Sequence, residues 1–289
     1  MDYQRLLRLY PKEYREARGA EMLTTLLDAA ESGRSRPARR EVAALIVGAL
    51  RARSGTGAAG TAGQIWLSAL RIAALLLVAH AAAQSATRAG DIFSQLFTGQ
   101  GLAAVSDLGH PAALAIGVLA LVAIAAGRYG LGIVLTVAAF VVGQWAGSWL
   151  PLQVRLVLGE FWQLPLATLL MLPLLRRRPA ATGRPLVWLL AIPVSLFLLP
   201  TAFDVSLHLQ PAALAAVCLG CLAWSIIDAR VAVAGGALLL GPILSLLGFY
   251  LPGWGNGRSE NLLLLSSLAI AAAVLIGVSA PLIRRQARL

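Results

Sequence analysis

Charge is scarce in this 289-residue chain. Only 13% of its residues are charged, against roughly 25% in a soluble domain. Acidic residues are scarcer still, with 13 Asp and Glu against 24 Lys and Arg, and Lys12 is the single lysine. Cysteine occurs twice and histidine three times. Each shortage excludes something. So few charges exclude a water-soluble globule and a disordered chain. Two neighbouring cysteines, Cys218 and Cys221, make no disulfide framework. There is no G-x-x-x-x-G-K loop followed by Ser or Thr, so the chain is not itself a P-loop ATPase. G-x-S-x-G, H-E-x-x-H and paired carboxylates within an apolar run are also missing. The chain reads as no enzyme, and nothing in it calls for a cofactor.

What the chain has is apolar length. Hydrophobic residues make up 58% of it, and its mean hydropathy is +0.77. From Gln64 onward apolar runs alternate with short polar breaks, at about 64–86, 109–127, 130–150, 159–175, 185–202, 210–227, 230–250 and 261–283. Each is close to the ~20 residues that cross a hydrocarbon core of ~30 Å as a helix. A backbone amide cannot stay unpaired in lipid, so each run is expected to be helical. The expected fold class is all-α: a polytopic transmembrane bundle of about eight spans. The first run is the weakest, because Arg71, His80, Gln84 and Ser85 interrupt it. Gly143 and Gly147 have the small-xxx-small spacing that lets two helices approach closely. Trp145, Trp149, Trp162 and Trp254 fall where an interfacial aromatic belt is expected.

Loop by loop, the charges orient these runs. With the N-terminus in the cytoplasm and eight crossings, 20 of the 24 basic residues and 8 of the 13 acidic ones fall on the inner side. Only Arg88, Arg155 and Arg258 fall outside, and Arg71 lies within the first run. The net is +11 overall, about +12 inside and −2 outside, as the positive-inside rule requires. The expectation is a multi-pass cell-membrane protein with both termini cytoplasmic. On a soluble chain such basicity points to nucleic acid, but here it reads as orientation, and no nucleic-acid partner is expected.

Residues 1–53 differ from the rest, with 11 basic and 7 acidic residues and no long apolar run. Tyr3, Leu6, Leu7 and Tyr10 share one helical face, and Pro11 interrupts. Met22, Leu23, Leu26, Leu27 and Ala30 form a second stripe; Val42, Leu45, Ile46, Ala49 and Leu50 form a third. Three short amphipathic helices follow, then a Gly/Ala-rich linker ending near Gly63. Arg8-Leu9-Tyr10-Pro11, Tyr14-Arg15, Gly19 and Glu21-Met22 carry a recognisable pattern. It resembles the permease prefix domain, in which Arg-Leu-Tyr-Pro precedes an aromatic-Arg pair and then Gly-x-Glu-Met. Arg18 stands before Gly19 where that family usually has an aromatic, and the resemblance covers only about residues 3–50. It implies a cytosolic adaptor module ahead of a membrane domain. The large extracytoplasmic domain of the export permeases that carry this module has no room here.

The leading functional expectation is therefore a membrane protein of regulatory or accessory type. Its N-terminal helices would dock a cytosolic or membrane protein through the apolar face of Leu6, Leu7, Tyr10, Tyr14, Met22 and Leu26. The alternative is the permease subunit of an export system working with a separate ATPase. Three smaller constellations stand beside it. His110 with Asp107, and His208 with Asp204, are the candidate metal ligands on the outer side, although interfacial capping accounts for them better. Cys218 and Cys221 form C-x-x-C mid-run, where burial favours a packing role over redox chemistry. Arg71 is expected to snorkel toward the inner interface.

Overall fold

A computed structural model describes residues 3–29, 38–54, 61–97, 109–145, 162–177, 179, 210–250 and 258–287. Every regular element among them is an α-helix. Three form the N-terminal module: α1 (Tyr3–Leu7), α2 (Lys12–Ala29) and α3 (Arg39–Ser54). Tyr3, Leu6, Leu7 and Tyr10 bury themselves against Leu45 and Ala49 of α3. Tyr14, Met22, Leu23 and Leu26 of α2 cover the edge of that core and are only partly buried. Glu41 fixes the start of α3. Its Oε2 accepts the Ala38 N–H at 3.0 Å, the reach-back half of a capping box. The same oxygen accepts the Tyr3 hydroxyl at 3.0 Å and so ties α1 to α3. Gly48 lets the two helices meet, because a Cβ there would collide with the Tyr10 hydroxyl.

The apolar runs follow as α4 (Ala62–Phe97), α5 (Gly109–Ala125), α6 (Tyr129–Trp145), α7 (Gln163–Arg176), α8 (Gln210–Ser225), α9 (Arg230–Tyr250) and α10 (Arg258–Gln286). These ends lie within a few residues of the expected ones, except that α4 runs eleven residues past position 86. The run 185–202 lies outside the described residues.

The run that reads weakest in sequence is the hub of the fold. Helix α4 packs on α5, α7 and α9, and touches α10. In its most apolar stretch 78% of residues are buried inside the protein, against 33% for α10. That position gives Arg71 and Ser68 partners on neighbouring helices, where a lipid-facing helix would leave them stranded, while His80 bonds Gln84 within α4. Arg71 reaches toward the end of α5. Its guanidinium donates to the Ala125 carbonyl at 2.6 Å and satisfies an orphan acceptor at the end of α5. The Ser85 hydroxyl donates to the Ala81 carbonyl within α4 at 3.0 Å.

On one side of α4, α5 and α6 form a tight hairpin. Gly127 turns the chain with φ +74, and Arg128 N–H reaches the Ala123 carbonyl at 2.8 Å while Gly127 N–H reaches Ile124 at 3.1 Å. This is the double bond of a Schellman motif, and its left-handed residue favours glycine. Two other glycines carry the closest helix contacts. A Cβ on Gly132 would lie 2.8 Å from Ile124 Cγ1, and one on Gly236 would lie 2.7 Å from Ile276 Cγ1 of α10. Gly143 is buried near the end of α6, whereas Gly147 lies outside the described residues.

The outer faces are apolar too. Val118, Leu119 and Val122 of α5, Val134 and Val141 of α6, and Leu169, Leu172 and Leu175 of α7 are all exposed. Apolar residues inside and out are the pattern of a helix bundle in lipid. Two helical stretches, Ala62–Ser94 and Leu265–Gln286, are long and apolar enough to cross a membrane.

Candidate functional site

Polar chemistry concentrates where α8 turns into α9. Helix α8 ends at Ser225 and α9 begins at Arg230, so residues 226–229 make a short reversal. Asp228 caps α9: its Oδ1 accepts the Arg230 N–H at 3.0 Å, where a carboxylate also meets the positive end of the helix dipole. The Arg230 guanidinium then folds back onto the same carboxylate. Its Nε donates to Oδ1 at 2.8 Å and its Nη2 to Oδ2 at 2.7 Å, a bidentate pair. Asp228 is 0% exposed and Arg230 3%. Two charges removed from water this completely persist only while each holds the other. The remaining guanidinium nitrogen, Nη1, donates to Ser68 Oγ of α4 at 3.3 Å.

Two further side chains clasp the turn. Gln286, at the end of α10, accepts the Ala229 N–H at 3.3 Å and donates to the Ile227 carbonyl at 3.2 Å. Arg51, near the end of α3, donates through Nε and Nη2 to the Ile226 carbonyl at 3.3 and 2.7 Å. The 226–229 turn is therefore the junction at which α4, α10 and the N-terminal module meet. None of these bonds follows from hydrophobic periodicity. Asp228 and Arg230 read as loop charges, and an acid just before an apolar run, a helix-start signal, was the one available clue.

Most of the described arginines outside the N-terminal module lie at this end. Arg71 meets the end of α5, and Arg128 sits in the α5–α6 turn. Arg176 and Arg177 end α7 beside Thr61 and Gln64 at the start of α4. Arg284 and Arg285 follow Ile283, which packs on Ala69 and Ala229. Opposite ends of the helices share no such cluster among the described residues.

The residues singled out from sequence are distributed differently. Leu6, Leu7 and Tyr10 are not an open docking face: they are 0%, 8% and 6% exposed and form the module's own core. Alone, such short amphipathic helices cannot leave an apolar stripe wet, so α1 and α3 close on each other. Tyr14, Met22 and Leu26 remain half-covered, and Leu27 beside them is 56% exposed. The Tyr10 and Tyr14 rings stack at 5.3 Å, and burial, with the Tyr14 phenol adding to it, pushes the Tyr10 phenol above its ordinary value. His110 opens α5, while Asp107, Asp204 and His208 lie outside the described residues. Among the described residues no three His, Cys, Asp or Glu side chains converge as a metal set. Cys218 and Cys221 are both reduced and pack toward α9 and α10, with Cys221 Sγ against Gly235. No protein-family model matches the chain, and no curated protein or solved structure matches it. The clasped turn therefore stands on its own geometry: a fixed polar joint between a charged N-terminal module and an apolar bundle.

Proposed function

We propose that this chain is a multi-pass membrane protein of regulatory or accessory type, in which the N-terminal module senses a partner and the 226–229 turn carries that contact to the helices. The observation that carries the reading is the pair of hydrogen bonds from Arg51 to Ile226. A tethered domain with no mechanical role needs only its linker, whereas this one is bonded to a turn already shared by α4 and α10. The partner surface is the half-covered stripe of α2, Met22, Leu26 and the exposed Leu27, together with the charged residues around it. The resemblance of residues 3–50 to the permease prefix domain supports the same adaptor role.

The eight-span topology has geometric support. The basic end, by the positive-inside rule, faces the cytoplasm. Helix α7 runs toward that end and finishes there at Arg176, and α8 also finishes there, at Ser225. The apolar run 185–202 separates the two in sequence, which supports an eighth span there.

Two experiments test the reading. A photo-cross-linking residue at Leu27 in the full chain, expressed in its native cells, is expected to give a discrete protein adduct that the same probe at the outer-face Val134 does not. No adduct from any exposed α2 position would overturn partner docking. Reporter fusions at Arg177 are expected to show cytoplasmic behaviour, and extracytoplasmic activity there would overturn the topology.

A further inference from the structure

Between the start of α4 and the end of α7 lies a groove of about 940 Å³. Its walls change character along their length. Leu169 and Leu172 of α7 stand above Arg176 on one helical face, and Trp66 and Leu67 of α4 stand opposite. The seven residue steps from Leu169 to Arg176 span roughly 10 Å at 1.5 Å per residue. One end of the groove is thus aliphatic and the other cationic. Arg176 and Arg177 are exposed, and neither guanidinium has a protein partner among the described residues. Among the described residues no carboxylate lines the groove. A second hollow of about 440 Å³ on the other flank of α7 adds Arg128 and Tyr129, again with no carboxylate among the described residues.

We propose that this groove is a binding site for one anionic phospholipid. Its phosphate lies between Arg176 and Arg177, and an acyl chain runs along Leu67, Leu169 and Leu172. A soluble anion would use the arginines and leave the leucines wet. A zwitterionic lipid would fill the leucines and leave the arginines without a net countercharge. An anionic lipid satisfies both, and Trp66 sits at the level where an indole favours the headgroup boundary. Basic pockets between helices on the cytoplasmic side are a recurrent form of headgroup recognition. The assignment to the cytoplasmic leaflet rests on the topology proposed above. The site itself, a groove with these two ends, does not.

Native mass spectrometry of the full chain in detergent, titrated with phosphatidylglycerol or phosphatidylcholine of identical acyl chains, tests it. Two arginines at about 1 kcal/mol each give an expected preference of roughly thirty-fold for the first lipid bound. Arg176→Gln with Arg177→Gln is expected to bring the preference close to one. Arg284→Gln with Arg285→Gln removes the same charge at the same end but outside the groove, and is expected to leave it unchanged. Leu172→Trp keeps both arginines and fills the aliphatic end, so it is expected to lower retention of both lipids. Inorganic phosphate at millimolar concentration is expected not to displace the bound lipid. Equal loss from both arginine pairs, or no loss from the Arg176 and Arg177 pair, overturns the site in favour of diffuse charge. Competition by phosphate overturns the lipid in favour of a soluble anion. Orientation is erased in detergent, so a failed reporter fusion at Arg177 leaves this result standing, and the reverse holds too.

Discussion

Replacing Asp228 by Asn removes one charge and almost no volume. In the native structure its two oxygens accept the Arg230 backbone N–H at 3.0 Å and the guanidinium at 2.7 and 2.8 Å. Asparagine keeps Oδ1, and with it the helix cap. Its Nδ2 then confronts Arg230 Nη2, donor against donor, and a guanidinium only 3% exposed cannot turn to water. The substitution removes the charge that balances a buried cation, and breaking such a pair costs about 3–5 kcal/mol. Arg230→Met strands the carboxylate instead and costs a similar amount. The double variant, with neither charge, is expected to recover most of that loss, because an apolar replacement of a whole buried pair is close to neutral. The double-mutant cycle should therefore show a coupling of at least ~2 kcal/mol. Reversible unfolding in mixed micelles, followed by helix circular dichroism, measures each corner. Single variants that each lose under ~1 kcal/mol, or losses that simply add, would refute the account of the clasp.

Three further outcomes follow from other contacts. Gly48→Ala forces a methyl against the Tyr10 hydroxyl and is expected to destabilise the N-terminal module by ~1–3 kcal/mol, read as faster hydrogen exchange in α1 and α3 with α9 unchanged. Gly236→Leu separates α9 from α10 at Ile276 and is expected to lower the unfolding midpoint of the bundle, while Gly220→Leu, where a Cβ meets nothing within 4 Å, is expected to leave it alone. The raised Tyr10 phenol adds a pH dependence: burial favours the neutral form, so that contribution is intact below the ordinary value of 10.0 and is lost as pH rises through the higher folded-state value. Tyr10→Phe should abolish that slope, and a slope that persists in the variant would place its origin elsewhere.

Helix positions were legible because polar residues and glycine punctuate the apolar runs. Arg230 marks the start of α9 and Gly109 the start of α5 in sequence and structure alike. Packing order was not legible. A polar residue in an apolar run signals either a poor span or a central one, and only the neighbours of Arg71 and Ser68 decide between them. The clasp was hidden for a related reason. Asp228 and Arg230 are two apart, a spacing with no helical face, and their bond exists only because the chain reverses there. The N-terminal stripe was legible as apolar but not as internal. Periodicity shows which face is apolar and not what covers it, so Leu6 and Leu7 read as a docking face until α3 is seen lying on them. Gly132 and Gly236 carry tight crossings with no Gly-x-x-x-Gly spacing to announce them, so their contacts were not legible in the sequence.

The central place of α4 sets a timetable for biosynthesis. It leaves the ribosome before its bonding partners do. The acceptor for Arg71 lies 54 residues downstream, and the arginine that engages Ser68 lies 162 residues downstream. At roughly 5–20 residues per second, the second wait lasts about 10–30 s. During that interval the α4 residues that bond to other helices are made ahead of their partners. The α5–α6 hairpin, closed by its own Gly127 turn, is the earliest structure able to shelter it. The clasp at 226–229 is complete only after α10 supplies Gln286, so it acts as a seal on assembly.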